Sequence, residues 1–336
     1  MSHQGFPPSR RTAIHALCGL ALTAAGSGLI AGSASAQSFP ARAVTIISPY
    51  QAGGTSDIIS RQLAQKLGDM WKQSVIVENR PGANGSVGVL AVARGPTDGH
   101  TLLAVASSAL TLNPLLYKSL GYDVARDLAP VTRTGSVPNV VVVHPSVPAK
   151  TIAELIALAK SKPGSLNYAS QGNGSNGHLN GEMFQQMAGI AMTHVPYKGS
   201  APAVADLIAG HTQVMFDNLP SVLEQIRAGQ LRALAVTTAQ RAAPLPDVPT
   251  MIEAGVAGFD TSAWFAVLVA KGTPEPVRAD LERALVQALA DPELRGKLAQ
   301  VGITALGDGS AAMTARIEAE TRTWREVIQR AKISIE

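Results

Sequence analysis

The sequence predicts an α/β fold of two hinged lobes, each a largely parallel sheet flanked by helices, joined by two crossing segments. Three observations predict it. Short apolar or β-branched runs alternate with amphipathic segments along the chain, as in parallel sheets covered by helices on both faces. Two junctions far apart in sequence repeat one grammar: a strand breaks into glycines and hydroxyls just where a helix begins. Two Gly/Pro-marked stretches, Leu128 to Val140 and Thr237 to Phe259, read as crossings between lobes.

In chain order, the first strand is Val44–Ser48, followed by the loop Pro49 to Asp57 and a helix reaching about Trp71. Ile58–Met70 carries its helical spacing. Strands over Ser74–Val77 and Thr101–Ala106 follow, and Val140–His144 comes at the end of the first crossing. Thr151–Lys160 has helical spacing. The strand Leu166–Ser170 then runs through Gln171 to His178 into a helix ending near Met187. Helices over Ala201–Ala209, Ser221–Ala228 and Pro276–Leu289 interleave with strands Gln213–Asp217, Leu231–Thr237 and Phe265–Val269. Gly68, Gly164, Gly210 and Gly229 mark helix ends. The second crossing carries Pro244, Pro246, Pro249 and Gly255, and helical pattern resumes after it. The division that follows is a discontinuous lobe 1 (37–136 plus 250–336) and an inserted lobe 2 (137–249), with two crossings making a hinge.

The N-terminus reads as a secretory signal peptide, residues 1–36. Arg10-Arg11 precede an apolar stretch from Ala13 to Ile30, and Ala34-Ser35-Ala36 forms a small-residue cleavage site. A periplasmic protein is expected. Cys18 is the only cysteine and lies in the signal, so the mature chain has no disulfide, thiol nucleophile or thiolate metal site. The formal charge of +4 includes the two signal arginines. No Lys/Arg cluster with interleaved aromatics appears, so nucleic acid is not an expected partner.

Enzyme chemistry finds no constellation. There is no H-E-x-x-H, CxxC or Asp-rich calcium loop, so neither a metal nor another cofactor is expected. Gly174-Ser175-Asn176-Gly177 resembles a nucleophile elbow only superficially, and its serine has no evident base. Gly82-Ala83-Asn84-Gly85-Ser86-Val87-Gly88 lacks dinucleotide-fingerprint spacing and reads as a turn and helix start, with Asn84 or Gly85 bordering the cleft. Asp57 reads as a first-turn acid facing the helix dipole.

The two glycine junctions carry the chemistry. Glycine lets backbone approach a ligand, and a helix N-terminus offers unpaired N–H groups and a positive dipole end. The pair suggests a small anion held between two lobes. Further candidates sit at strand ends on the same rim: Ser107 and Ser108 after Thr101–Ala106, and Asp217 after Gln213–Phe216. His178 opens the helix after the second junction and could donate to a carboxylate or bond its own loop. Tyr50, Trp264 and Phe265 are the aromatics available to a ring-bearing ligand.

These motifs together resemble the periplasmic solute receptors of tripartite tricarboxylate transporters, the Bug receptors. The matching residues are Pro49-Tyr50-x-x-Gly53-Gly54-x-Ser56-Asp57, Val77-Glu78-Asn79-Arg80-Pro81-Gly82-Ala83, and Tyr168-Ala169-Ser170-x-Gly172-x-Gly174-Ser175. They continue with His178-Leu179-x-Gly181-Glu182-x-Phe184, His194-Val195-Pro196-Tyr197-Lys198-Gly199, Met215-Phe216-Asp217 and Pro246-Asp247-Val248-Pro249-Thr250. The resemblance implies a periplasmic-binding-protein clamshell and a monomeric, non-catalytic receptor for a small organic or amphoteric acid. It implies delivery to membrane permease subunits, or presentation to a sensor kinase ectodomain. Carried over, carboxylate contacts fall at Tyr50, Gly53, Gly54 and Thr55 in lobe 1, and at Ala169, Ser170, Gly174 and Ser175 in lobe 2. His178 lies nearby, and Asp217 at the ligand's distal end.

Overall fold

The computed structural model describes residues 1–3, 5 and 39–331. The body of the expected signal peptide, with Cys18 and its cleavage point, lies outside them. Residues 1–38 and 39–336 are separate units. Residues 1–3 and 5 have no regular structure, and all that follows concerns the second unit.

The second unit opens with β1 (Val44–Ser48), α1 (Thr55–Trp71), β2 (Val75–Asn79), α2 (Ser86–Ala93) and β3 (Thr101–Ala106). Short helices α3 (Ser107–Thr111), α4 (Asn113–Leu116) and α5 (Val124–Asp127) lead into β4 (Leu128–Val143). Next come α6 (Ile152–Ser161), β5 (Asn167–Ser170), α7 (Asn176–Ala188), β6 (Thr193–Pro196) and α8 (Ser200–Ile208). These are followed by β7 (Val214–Asn218), α9 (Leu219–Arg227) and β8 (Arg232–Val236). The chain then runs through β9 (Ser262–Ala270), α10 (Glu275–Ala290), α11 (Pro292–Gln300), β10 (Thr304–Ala305) and α12 (Gly309–Ala331).

Two half-sheets share one strand. In the first, β2, β1 and β3 are parallel, and β9 returns antiparallel between β3 and β4. In the second, β6, β5 and β7 are parallel, and β4 runs antiparallel to both β7 and β8. Leu128–Pro138 of β4 pairs with β9, whereas Asn139–Val143 lies between β7 and β8. The first crossing is therefore a continuous strand. Pro130, Gly135 and Pro138 disguise it in the sequence, and register shifts between Pro130 and Thr132 and between Arg133 and Gly135 absorb the irregularity.

Each half-sheet is covered on both faces, which is why its strands are apolar almost throughout. Successive residues of β1 point oppositely: Ile46 packs with Leu63, Leu102 and Leu285, while Ile47 packs with Val89, Leu103 and Trp264. Along β4, Val141 and Val143 meet Leu155, Tyr168 and Phe184, while Val140 and Val142 meet Val204, Met215 and Leu223. Met251, Val256 and Phe259, from the second crossing, pack in the same core as Val141 and Phe184. One helix boundary differs from expectation. Gly68 lies inside α1, which stops at Lys72, where φ is 55° and the N–H bonds the Gly68 carbonyl.

Candidate functional site

Strands β1, β3, β5, β6 and β7 all end toward one region, and each is followed by a helix. A cavity lies there, walled by residues from both half-sheets. Four helices of nine or more residues begin at its wall. Gly54, Thr55 and Ser56 come from the start of α1, Ser175 and Asn176 from α7, Gly199 and Ser200 from α8, and Asn218 caps α9. Ser108 of α3 joins them, and Tyr50, Asn84, Ala106, Gln171 and Phe265 complete the lining. No Lys, Arg, His, Asp or Glu is among these residues. Positive potential in such a cavity comes from aligned helix N-termini and their free N–H groups, an arrangement that favours an anion.

Five of the sequence-derived candidates line the cavity: Tyr50, Gly54, Thr55, Ser108 and Ser175. The Thr55 N–H donates to Ser221 Oγ at 3.1 Å. Ser175 Oγ caps α7 by accepting from the His178 N–H at 3.2 Å, which leaves its own proton free. The Tyr50 hydroxyl is buried beside Ser108 and the Ala106 backbone, and burial pushes its pKa up, so it stays neutral.

The other candidates stand behind or beside the lining. Gly53 is exposed, and its N–H donates to the Asp57 carboxylate at 3.0 Å. Asp57 also takes bonds from Arg61 and Asn79; burial opposes its ionisation, but these bonds together hold its pKa below the usual value. It is a structural first-turn acid. Ser107 Oγ accepts from Asn176 Nδ2 at 3.4 Å and so touches the wall indirectly. Ala169 is buried in the core of the second half-sheet, its backbone paired with Met215 and Val195.

Ser170, Gly174 and His178 form a separate cluster. Ser170 Oγ lies 2.7 Å from His194 Nε2, and the Gly174 N–H donates to His178 Nδ1 at 3.1 Å. The two imidazoles stack at 4.0 Å, with Tyr168 stacked on His194 at 4.8 Å. Burial lowers both histidines, His194 to about 3, so both are neutral at pH 7. His178 thus bonds its own loop.

Asp217 is fully buried directly behind the wall. Its Oδ1 accepts from Ser200 Oγ at 2.8 Å, from the Asn218 N–H at 2.7 Å and from Gln171 Nε2. All three donors belong to lining residues. Burial pushes Asp217 up to about 6, with these bonds acting in the opposite direction. Of the aromatics, Tyr50 and Phe265 line the cavity. Trp264 points to the other face of β9, where its Nε1 donates to Glu320 at 2.6 Å.

Sequence reasoning missed Ser56, Gln171, Asn176, Gly199, Ser200 and Asn218. The same strand-to-helix grammar marks two of these junctions: Gly199-Ser200 after Pro196-Tyr197-Lys198, and Asn218-Leu219-Pro220 after Phe216-Asp217. Among the described residues no group of His, Cys, Asp and Glu could hold a metal ion. No helix among them is long and apolar enough to cross a membrane.

Comparison with known proteins bears on the family and the fold. The family model described as "Tripartite tricarboxylate transporter family receptor" matches residues 59–333. Protein BugT of Bordetella pertussis is 39% identical over 319 residues, covering 95% of this chain and 97% of that one. A solved structure of R. palustris Rpa4515 with adipate superposes with a TM-score of 0.86 at 38% identity, covering 88% of this chain and 99% of that one. The periplasmic binding protein BugD superposes with a TM-score of 0.84 at 32% identity, covering 88% of this chain and 99% of that one. The two half-sheets sharing β4 are thus the two-lobe architecture of these binding proteins, and the chain belongs to the tripartite tricarboxylate transporter receptor family, the Bug receptors.

Proposed function

We propose that this chain is a periplasmic receptor that captures a small organic carboxylate and delivers it to the membrane permease of a tripartite transporter. The observation that carries the reading is the convergence of α1, α7, α8 and α9 on one cavity whose lining holds no charged side chain. The carboxylate sits against the N-terminal ends of α1 and α7, with Gly54, Thr55, Ser108 and Ser175 as its direct contacts. Grip by backbone and hydroxyl groups recognises a carboxylate without fixing the rest of the molecule. The adipate in the Rpa4515 structure supports this ligand class. Nothing in the cavity forms a nucleophile–base pair, which supports binding rather than turnover. The lobes divide where β4 passes from β9 to β7, near Pro138 and Asn139, and where the chain enters β9.

A thermal-shift panel of small carboxylates, followed by calorimetric titration of the hits, tests the reading. A ligand that binds the native state raises the melting temperature as its concentration exceeds its dissociation constant. Stabilisation by carboxylates, and not by their amides, is the expected result. Equal response to acid and amide, or none to any acid, overturns it.

A further inference from the structure

Asn84 stands apart from the donor-rich cavity lining. It is 8% exposed, and its Oδ1 is fully buried without a hydrogen-bond partner. It lines the main cavity and also a second cleft that opens beside it toward Lys198. Tyr50 lines both as well, its hydroxyl beside Ser108. Among the described residues, Asn84 Oδ1 is a buried acceptor of a cavity-lining residue that has no donor.

The orientation of the Asn84 amide is fixed from behind. Asn113 Nδ2 donates to the Asn84 backbone carbonyl at 3.2 Å, an atom that can only accept. Asn113 Oδ1 must therefore face the Asn84 side chain, and it takes the Asn84 Nδ2 proton at 2.8 Å. Turning the Asn84 amide over would set two carbonyl oxygens against each other. Asn113 is itself completely buried and is held further through Ser86 Oγ and Tyr122 Oη. The backbone here is also unusual. Ala83 and Asn84 both have positive φ, 44° and 45°, a conformation that β-carbon-bearing residues adopt at a cost and that clusters at ligand sites.

We infer that Asn84 Oδ1 is a specificity-determining acceptor for a hydrogen-bond donor on the ligand, so that the preferred ligand is a carboxylic acid bearing a hydroxyl or ammonium group. The inference rests on the carboxylate reading above and narrows it. A bare dicarboxylate satisfies the helix ends and leaves this acceptor unpaired, and sites that keep a buried polar group for one substituent discriminate strongly against its absence.

Matched acids test it: succinate, malate and aspartate, and adipate with its 2-hydroxy and 2-amino derivatives, titrated calorimetrically against the mature chain. In at least one series the hydroxy or amino member should bind tenfold or more tightly than its unsubstituted partner. Asn84→Gly, which suits the positive φ, should bring the substituted acid down to the level of that partner. The wild-type comparison stands even without the variant. Equal affinities within each series, or a preference that survives Asn84→Gly, overturns the role of Asn84. If wild-type chain binds no acid of either series and no other carboxylate, the receptor reading itself falls and this inference falls with it.

Discussion

Thr55 and Ser221 join the two halves of the molecule: their hydroxyls lie 2.9 Å apart, and the Thr55 N–H also donates to Ser221 Oγ at 3.1 Å. Thr55 is the first residue of α1 and follows β1, whereas Ser221 lies in the first turn of α9 and follows β7. Ser107 and Asn176, and Tyr117 and the Asn173 carbonyl, span the same gap. These bonds tie the two halves together across the cavity.

Ser221→Ala should therefore shift the chain toward an open form. Losing a hydrogen bond of this kind costs about 1 kcal/mol, or roughly fivefold in ligand affinity. Small-angle scattering of the ligand-free variant should give a larger radius of gyration than wild type, and saturating ligand should bring the two together. Identical radii without ligand would mean that this bond does not hold the halves closed.

Ser175→Ala should weaken two properties at once. The hydroxyl caps α7, so its loss costs about 1 kcal/mol of stability. Ser175 also lines the cavity with a hydroxyl proton to donate, so carboxylate affinity should also fall by about 1.5–3 kcal/mol, roughly ten- to a hundredfold. Melting and calorimetry on the same preparation separate the effects. Reduced stability with intact affinity would make Ser175 a cap only.

Asp217 should make the fold more stable in mild acid. Its pKa is raised from 3.8 to about 6 by burial. The native state then holds a proton that the unfolded chain releases, so this group's contribution is full below pH 4 and is lost as pH rises through 6. The difference corresponds to about 3 kcal/mol. Asp217→Asn cannot ionise, so its stability relative to wild type should increase by about that amount from pH 4 to pH 7.5. Urea titrations of both proteins at the two pH values decide it; parallel behaviour would show that Asp217 titrates normally.

The stacked histidines have the opposite sign. His194 is lowered by burial from 6.5 to about 3, with His178 adding repulsion. Unfolded chain takes up the proton first, so stability is lost as pH falls below 6.5. By pH 5 the loss from His194 is at most about 2 kcal/mol. His194→Gln should flatten the acid limb of a stability profile between pH 6.5 and 5. An unchanged limb would assign acid sensitivity elsewhere.

Sequence made much of this legible and concealed specific parts. β1 and β3 were bounded to the residue because a parallel strand buried on both faces is an uninterrupted apolar run ending in polar loop residues. Leu128 to Pro138 was hidden because Pro and Gly inside a strand resemble a linker until pairing with β9 is visible. At the site, residue type was readable but direction was not. His178 and Ser175 are three residues apart, yet His178 stacks on His194 from β6, while Ser175 lines the cavity. Gln171, Ser200 and Asn218 meet only through Asp217, a convergence of three loops that no local pattern encodes.

The continuity of β4 sets the mechanics of closure. A loop hinge swings almost freely, but here one crossing is a sixteen-residue strand hydrogen-bonded on both sides of the junction. Opening the halves must twist this ribbon against its ladders, so the joint behaves as a leaf spring with a preferred rest angle. The angle between the halves is therefore set by hydrogen-bonded strand geometry and not by a loop.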